Sequence, residues 1–482
     1  MSVSDLEPKI MWKNFADLNA VPRPSKKEDR VVEFIVNFGK KLGLETKKDA
    51  VDNVIIYKSA TVGMEDRQKI IMQSHLDMVH QKNEDTVFDF DTQGIEMRVN
   101  GDWVDANGTT LGADNGIGVA SIMAILESTD IPHPAIEAMF TIDEETGMTG
   151  AMELDPSNFE GTILLNLDTE DDDELSIGCA GGIDTNTSYN YKLVTTPGGS
   201  VAFEIKLRGL MGGHSGMDID KGRANANKLM NRFLYDCDIQ FGLSSLDGGS
   251  LRNAIPREST ALITVPSAEK DNFLHYFEEK TVALKTEFIS LEKEMTWTIA
   301  EADVPEQIIN PEDKMKILQT IYAVPNGVFR MSPDIEGLVE TSSSLARVIV
   351  KNGIFETQSL QRSSVESTKD DVANTVKSAF QLLGAKVVQN GDYPGWQPNK
   401  DSAILNVMED LYKELFNEEP QVKACHAGLE CGILKKHLPN CDMISFGPNI
   451  RHAHSPDECV QISSVQKYWK YLLATLERIP KK

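Results

Sequence analysis

The sequence predicts an α/β protein: one domain with a mostly parallel sheet flanked by helices, interrupted by an inserted α+β domain. Three observations predict it. Short, nearly all-apolar strand segments alternate with helical segments over the first ~180 residues, the signature of a parallel sheet covered on both faces. Around residues 185–200 the chain turns Thr-, Ser- and Gly-rich, with alternating strand patterns. After "DYPGWQP" the first pattern returns, so the two ends of the chain belong together.

The elements follow in order. In "PRPSKKEDRVVEFIVNFGKKLGL", Ser25 and Glu28 make an S-x-x-E capping box, and Val31, Ile35, Phe38 and Leu42 recur at helical spacing. "NVIIYKSA" and "KIIMQSHLDMV" read as strands, "GIGVASIMAILEST" as a helix, "AIEAMFTID" as a strand, "TGAMELD" as a short helix and "GTILLNLDTE" as a strand. The acid run "TEDDDE" reads as a solvated loop. In the middle, "DKGRANANKLMNRFLYD" and "AEKDNFLHYFEEKTVALKTEF" are helical, while "STALITV" and "MTWTIAEA" are strands. A similar succession follows: helix 311–323, strands near 328–330 and 355–361, helix 367–383 and strand 385–389. That order suggests two α+β units in tandem. Last come helix "SAILNVMEDLYKELF", strand "QVKACHAG", short helix "CGILKKHL", strand "CDMISFGP" and helix "SSVQKYWKYLLATLERI". The domain made of the two ends is expected to be residues 1–186 plus 396–482, with 187–395 as the insertion and Pro394-Gly395-Trp396 as the crossing back.

Composition narrows the partners. A net charge of −26 argues against nucleic acid and against an anionic membrane, both of which need a positive face. No apolar stretch is long enough to span a bilayer. The start, "MSVSDLEPKIMWKNF", lacks a positive segment leading into an apolar run, and the six cysteines show neither CxxC spacing nor a disulfide framework. A cytoplasmic location is expected.

The informative residues sit at strand ends. "IIMQS" runs into His75-Leu76-Asp77, "AMFTI" into Asp143-Glu144-Glu145, and "ILLNL" into Asp168. "MISFGPNIRHAHSPDE" carries His452 and His454 after a strand, and Asp114 lies in "LGADNGIG" before a helix. Each has an ordinary reading alone. HxD is commonly a satisfied core histidine, and GxDNGxG a tight loop. HSPDE suits a helix start, with Ser455, Pro456, Asp457 and Glu458 as first-turn residues. Together they point to one cleft, because α/β sheets bind ligands at the carboxyl ends of their strands. Imidazoles and carboxylates without a thiolate suit Zn²⁺, Mn²⁺ or Co²⁺. The carboxylates outnumber what one ion needs, so two ions sharing a carboxylate are expected. Glu145 can then coordinate while Glu144 stays free as a base, and cation charge offsets repulsion within the triplet.

The order H-x-D, GADNG, an EE pair before Thr-Gly, Asp at a strand end and a late H-S-P-D-E resembles the M20 family of dinuclear metallopeptidases. "SHLDMV", "TTLGADNGIGVA", "DEETGMTGA", "GGHSG", "RNAIPRE", "HAGLECG" and "GPNIRHAHSPDE" extend the likeness over essentially the whole chain. The resemblance implies two divalent metal ions, Zn²⁺ first, with Co²⁺ or Mn²⁺ as substitutes. His75 and Asp168 would hold one, Glu145 and His454 the other, and Asp114 would bridge them, followed by a cis peptide to Asn115. Asp77 would orient a ligand and Glu144 would be the general base. His214 of "GGHSG" would stabilise the oxyanion. Asn253 of "RNAIP" and Arg362 of "LQRSS" would hold the substrate carboxylate, and Gly428 of "HAGLE" would lie at the substrate wall. The ends of the chain would form the family's catalytic domain and the insertion its lid, which is longer than in many relatives, so a homodimer that shares residues between subunits stays open.

The implied activity is hydrolysis of dipeptides with a free N-terminus, of broad specificity, including Xaa-His dipeptides such as β-alanyl-histidine. Two alternatives stand beside it: an amidohydrolase of the same fold (a deacetylase or acylase), and a non-catalytic binding protein on a peptidase fold. A serine hydrolase reading of "GGHSG" fails, because G-x-S-x-G needs glycine where Met217 stands. His80, His133, His275 and His437 lack an acid pattern; His426 and His452 lie near motifs.

Overall fold

The computed structural model describes residues 2–482, which divide into two compact units. The first comprises the chain up to Gly178 with Pro398–Ala424 and Leu429–Lys482; the second comprises Cys179–Gln397 with Cys425–Gly428.

The first unit is built on eight strands. Their order is Glu45–Lys48, Val54–Lys58, Ile136–Thr141, Ile70–His75, Ile163–Asn166, Asp442–Ser445, Glu174–Cys179 and Gln421–Cys425. The four central strands, from Ile136–Thr141 to Asp442–Ser445, are parallel. Antiparallel pairings flank them on both sides. Ile136–Thr141, Ile70–His75 and Ile163–Asn166 are buried along their full length, as strands covered on both faces must be. Helix Ala113–Glu127 is apolar all round and almost wholly buried. Its C-terminal carbonyls, Ile125 O and Leu126 O, and the following Ser128 O all accept from Lys58 Nζ, so one cation closes the helix end.

Three local expectations are overturned. Ser25 and Glu28 form no capping box; helix Asp29–Lys41 starts without a side-chain cap, and the Ser25 hydroxyl is spent elsewhere. The last residue of "TEDDDE", Glu174, opens a strand that runs to Cys179. HSPDE does not begin a helix. Helix Ile462–Arg478 starts later, and its first turn is satisfied by Asp102, which accepts from the Ser463 N–H and hydroxyl. The sequence reading also passed over a small antiparallel sheet of Met97–Asn100, Trp103–Ala106, Cys459–Gln461 and Ile450–Arg451.

The second unit carries one antiparallel sheet of nine strands. Its main path runs Thr296–Ala302, Ser200–Arg208, Ser259–Pro266, Gly242–Gly248, Val339–Lys351, Ile354–Ser363, Gly181–Asn190 and Lys386–Tyr393, and Gly327–Met331 pairs with Val339–Lys351. Strands from both halves of the middle segment therefore share a sheet. Helices Ala226–Tyr235, Lys270–Glu287, Pro311–Ala323 and Glu366–Leu383 bury their apolar faces in a core that includes Phe203, Phe233, Phe273, Ile317, Phe355 and Phe380. Among the described residues no helix is long and apolar enough to cross a membrane.

Candidate metal centre and active site

Three neighbouring parallel strands deliver their next residues to one rim of the sheet. His75 is the last residue of its strand, Glu144 and Glu145 follow Ile136–Thr141, and Asp168 follows Ile163–Asn166. Asp77 lies fully buried beneath this rim and organises it. Its Oδ1 accepts from the Glu144 N–H at 3.0 Å and its Oδ2 from the Glu145 N–H at 3.3 Å. Ser25 Oγ donates to Oδ2 at 2.8 Å. His75 Nδ1 faces the Asp77 carbonyl at 3.2 Å and its Oδ1 at 3.4 Å. With Nδ1–H directed there, His75 would turn Nε2 to a bound cation, the tautomer a metal ligand needs; without one, Nε2 faces the Asp114 carboxylate.

Asp143, the first acid of the triplet, turns the other way. Its buried carboxylate pairs with Lys26 and takes hydrogen bonds from the hydroxyls of Thr146 and Thr149. Those partners hold its pKa below the usual carboxylate range against the opposing effect of burial. The triplet is thus one structural acid and two that are available.

Asp114 is set by a buried clamp that sequence reasoning missed. The Glu458 carboxylate accepts four consecutive backbone N–H groups: Leu111 at 2.7 Å and Gly112 at 2.9 Å on Oε2, Ala113 at 2.7 Å and Asp114 at 3.2 Å on Oε1. These donors belong to the loop ahead of the regular helix, since Asp114 and Asn115 leave helical φ/ψ, and one buried carboxylate satisfies them all. From the other side, Arg23 donates to Leu76 O, Asp77 O, Asn19 Oδ1 and Gly112 O. Gly112 has φ +72°, and a Cβ there would come within 2.5 Å of Arg23 Nη2. Burial lowers Arg23 only to about 10, so it stays a cation at neutral pH. Glu458 follows His454 by four residues, so the clamp joins the His454, Asp114 and His75 loops. The Asp114–Asn115 peptide is cis.

The side chains fall into two sets around Asp114. Its Oδ1 lies 3.2 Å from His75 Nε2, which is 3.6 Å from Asp168 Oδ1. Its Oδ2 lies 3.2 Å from His454 Nε2, which is 3.0 Å from Glu145 Oε2. Each oxygen of one carboxylate thus faces one imidazole with one further carboxylate beside it. Ligand atoms of His75, Asp114 and Glu145 all lie within 4.8 Å of one another. Glu145 Oε1 and Asp168 Oδ1 are buried without a hydrogen-bond partner. Orphaned anionic oxygens cost too much to leave unpaired. Nitrogen and oxygen donors, orphaned oxygens and concentrated negative charge fit divalent cations.

The electrostatics agree. Burial would raise Asp114, but hydrogen bonds from His454 and His75 hold it far below the ordinary range. His454 is pushed up to about 11 by Asp114 and Glu145, which demand a positive charge between them. Asp168 is driven well above its ordinary value by burial and by the charges of Asp114 and Glu144. Glu144 rises to about 8, first through burial and then through Glu430, Glu145 and Asp114, against the opposing charge of His75. Its carboxylate has no hydrogen-bond partner among the described residues. It is therefore free to exchange a proton.

The second unit holds a separate cluster. His214 Nδ1 accepts from the N–H groups of Gly216 at 3.3 Å and Met217 at 3.1 Å. The proton of the neutral ring must then be on Nε2. That Nε2–H faces Arg362 Nη2, another donor, at 3.5 Å. Two donors cannot satisfy each other, so an oxygen acceptor fits between them. Arg362 Nε is also buried and unpartnered, while Nη1 donates to Tyr393 Oη at 2.7 Å. Asn253 is exposed, and its carbonyl accepts from the Ser215 N–H. Gly428 backs onto the Tyr393 ring. His426 Nε2 pairs with Ser342 Oγ at 2.7 Å. His452 is exposed and joins neither cluster.

Ser25, Arg23 and Glu458 were legible as residues but not as parts of this centre. Their partners are backbone atoms and loops distant in sequence, which no spacing rule reports.

Comparison with known proteins completes the description. The profile described as Peptidase family M20/M25/M40 matches residues 71–478. The cytosol non-specific dipeptidase of Escherichia coli (strain K12) is 40% identical over 482 residues, covering 100% of this chain and 99% of that protein. The crystal structure of aminoacylhistidine dipeptidase from Vibrio alginolyticus superposes with a TM-score of 0.97 at 42% identity, covering 100% of this chain and 99% of that one. Aminopeptidase PepT from Bacillus cereus, at 15% identity and a TM-score of 0.57 over 98% and 99% of the chains, shares the fold alone. A match of this extent, on a chain that gathers His75, Asp114, Glu145, Asp168 and His454 at one rim, shows that the protein belongs to the M20/M25/M40 peptidase family.

Proposed function

We propose that this protein is a dipeptidase that uses two divalent cations, in the first instance Zn²⁺, to hydrolyse dipeptides with a free N-terminus. The observation that carries this reading is the division of Asp114, with one oxygen toward His75 and Asp168 and the other toward His454 and Glu145. His75 and Asp168 would hold one cation, Glu145 and His454 the other, and Asp114 both. The names of the Escherichia coli and Vibrio alginolyticus relatives support a dipeptide substrate, a broad range that includes Xaa-His dipeptides, and a cytoplasmic site of action. Cations bound here supply Lewis acidity to a water and a carbonyl oxygen, and positive charge that favours ionised Glu144.

This chain's own residues do the rest. Asp77 keeps His75 in the ligating tautomer and fixes the turn that carries Glu144 and Glu145. Glu144 takes the proton of the attacking water and returns it to the leaving amine. His214 donates Nε2–H to an oxygen that gains negative charge in the reaction. Arg362 and Asn253 bind the substrate's free carboxylate.

The test compares wild type with Glu144→Gln on β-alanyl-histidine, plain dipeptides and N-acetyl amino acids, with metal content measured in parallel. The expected result is that dipeptides are cleaved, and that Glu144→Gln keeps its metal while kcat falls about 10²–10⁴-fold. Cleavage of N-acetyl amino acids but not of dipeptides would move the assignment to an amidohydrolase. Unchanged turnover in Glu144→Gln would remove Glu144 as the base.

A further inference from the structure

Gly182, Arg362 and Tyr393 lie in one row across the sheet of the second unit. Arg362 on Ile354–Ser363 is paired with Gly182 on Gly181–Asn190, and Tyr393 on Lys386–Tyr393 is paired with the same Gly182 from its other side. Directly paired residues of an antiparallel sheet share a face. Two side chains separated by an intervening strand meet only if the residue between them leaves room. Gly182 leaves it: a Cβ there would stand 2.6 Å from both Cζ and Oη of Tyr393. The ring crosses over the glycine, and Tyr393 Oη accepts from Arg362 Nη1 at 2.7 Å.

The ring is bounded elsewhere too. A Cβ on Gly428 would come within 2.9 Å of Tyr393 Cε2 and 3.5 Å of its Oη. Two glycines, far apart in sequence, thus form the slot in which this one tyrosine lies. The consequence for Arg362 is directional. Tyr393 occupies Nη1, the guanidinium nitrogen on the side away from Nε–H. The Nε and Nη2 edge is left: Nε has no partner, and Nη2 meets only the donor His214 Nε2. That edge is a two-pronged fork of the kind that takes a carboxylate side-on.

We propose that Tyr393 is a positioning residue that locks Arg362 with its Nε–Nη2 fork presented to the substrate carboxylate, and that Gly182 and Gly428 are glycines to make room for it. Gly428 on this account acts through Tyr393 and not by touching substrate. The proposal rests on the reading of Arg362 as the carboxylate-binding residue.

The experiment measures kcat and KM of wild type, Tyr393→Phe, Gly428→Ala and Arg362→Ala on β-alanyl-histidine and on its C-terminal amide, which lacks the carboxylate charge. Thermal melts and metal content confirm that each variant is folded and loaded. Tyr393→Phe keeps the ring and loses one hydrogen bond to a charged group, so KM for the free acid should rise about tenfold, with kcat within about twofold. KM for the amide should stay unchanged. Gly428→Ala should show the same pattern, and the double variant should be no worse than the more affected single one. Equal effects on acid and amide, or an unchanged KM for the acid in Tyr393→Phe, would overturn the positioning role. If Arg362→Ala leaves the preference for acid over amide intact, the carboxylate reading itself fails and this proposal with it.

Discussion

At the scale of single residues, chemistry was legible where a side chain's partners lie in its own motif. Glu144 and Glu145 were set apart from a solvated turn because two acids at a strand end need compensating charge, and the structure brings Glu145 against His454. Asp143 could not be told from them, since its partners Lys26, Thr146 and Thr149 became visible only in three dimensions. Ser25 was misread for a related reason. Its S-x-x-E spacing is a valid capping signal, but the Asp77 carboxylate is the stronger acceptor and takes the hydroxyl. Ser25→Ala should therefore cost about 1 kcal/mol of stability and loosen metal binding, leaving helix Asp29–Lys41 unchanged. Circular dichroism with a chelator competition reads both. His426 gives a pH prediction. Burial first, and then the Arg362 charge, lower it from 6.5 to about 3. As pH falls, the unfolded ring takes up its proton before the folded one does. The contribution of this site is complete above pH 6.5 and declines as pH drops toward 3. Each unit of that gap is worth about 1.4 kcal/mol. Denaturant unfolding should show stability falling on acidification below pH 6.5, and His426→Gln, which keeps an acceptor near Nε2, should flatten that slope.

At the scale of elements, long periodic segments were readable and pairings were not. Helix Pro311–Ala323 lies where the sequence put it, and the Asn310 side chain caps its start by accepting from the Glu312 N–H. Strand Val339–Lys351 was overlooked because its first half is "VETSSS", poor in strand formers; its place between two partner strands overrides propensity. HSPDE is the clearest case of a local signal with a distant purpose. Glu458 has the composition of a helix start, but its carboxylate begins none and instead fixes the Leu111–Asp114 loop that carries the shared carboxylate. Glu458→Gln replaces an anion that serves four N–H groups with an amide that sets a donor against two of them. The expected loss is about 3 kcal/mol of stability in metal-free protein, together with weaker metal binding well below the melting temperature. A purely structural role predicts the first loss without the second, and calorimetric metal titration separates them.

At the scale of the whole molecule, the return of parallel-sheet character after residue 396 was readable from composition. The single nine-stranded sheet of the second unit was not, because pairing between distant strands leaves no periodicity in the sequence. The concentration of acids in the first unit has a consequence for overall stability. Asp114, Glu145, Asp168 and Glu144 are held together against their mutual repulsion, so cations that bind only the folded chain must stabilise it. A site at a hundredfold excess over its dissociation constant contributes about 2.7 kcal/mol. Chelation should lower the melting temperature, and re-addition of Zn²⁺, Co²⁺ or Mn²⁺ should restore it.

The central claim is that Asp114 divides one centre into two metal sites. The most direct test is metal stoichiometry, by elemental analysis after equilibration with Zn²⁺, across variants that empty one set at a time. Wild type should bind two ions. His75→Ala and Asp168→Asn should each lose one, His454→Ala and Glu145→Gln should each lose the other, and Asp114→Asn should weaken both. A single ion in wild type, or loss of the same ion from variants of both sets, would contradict the account.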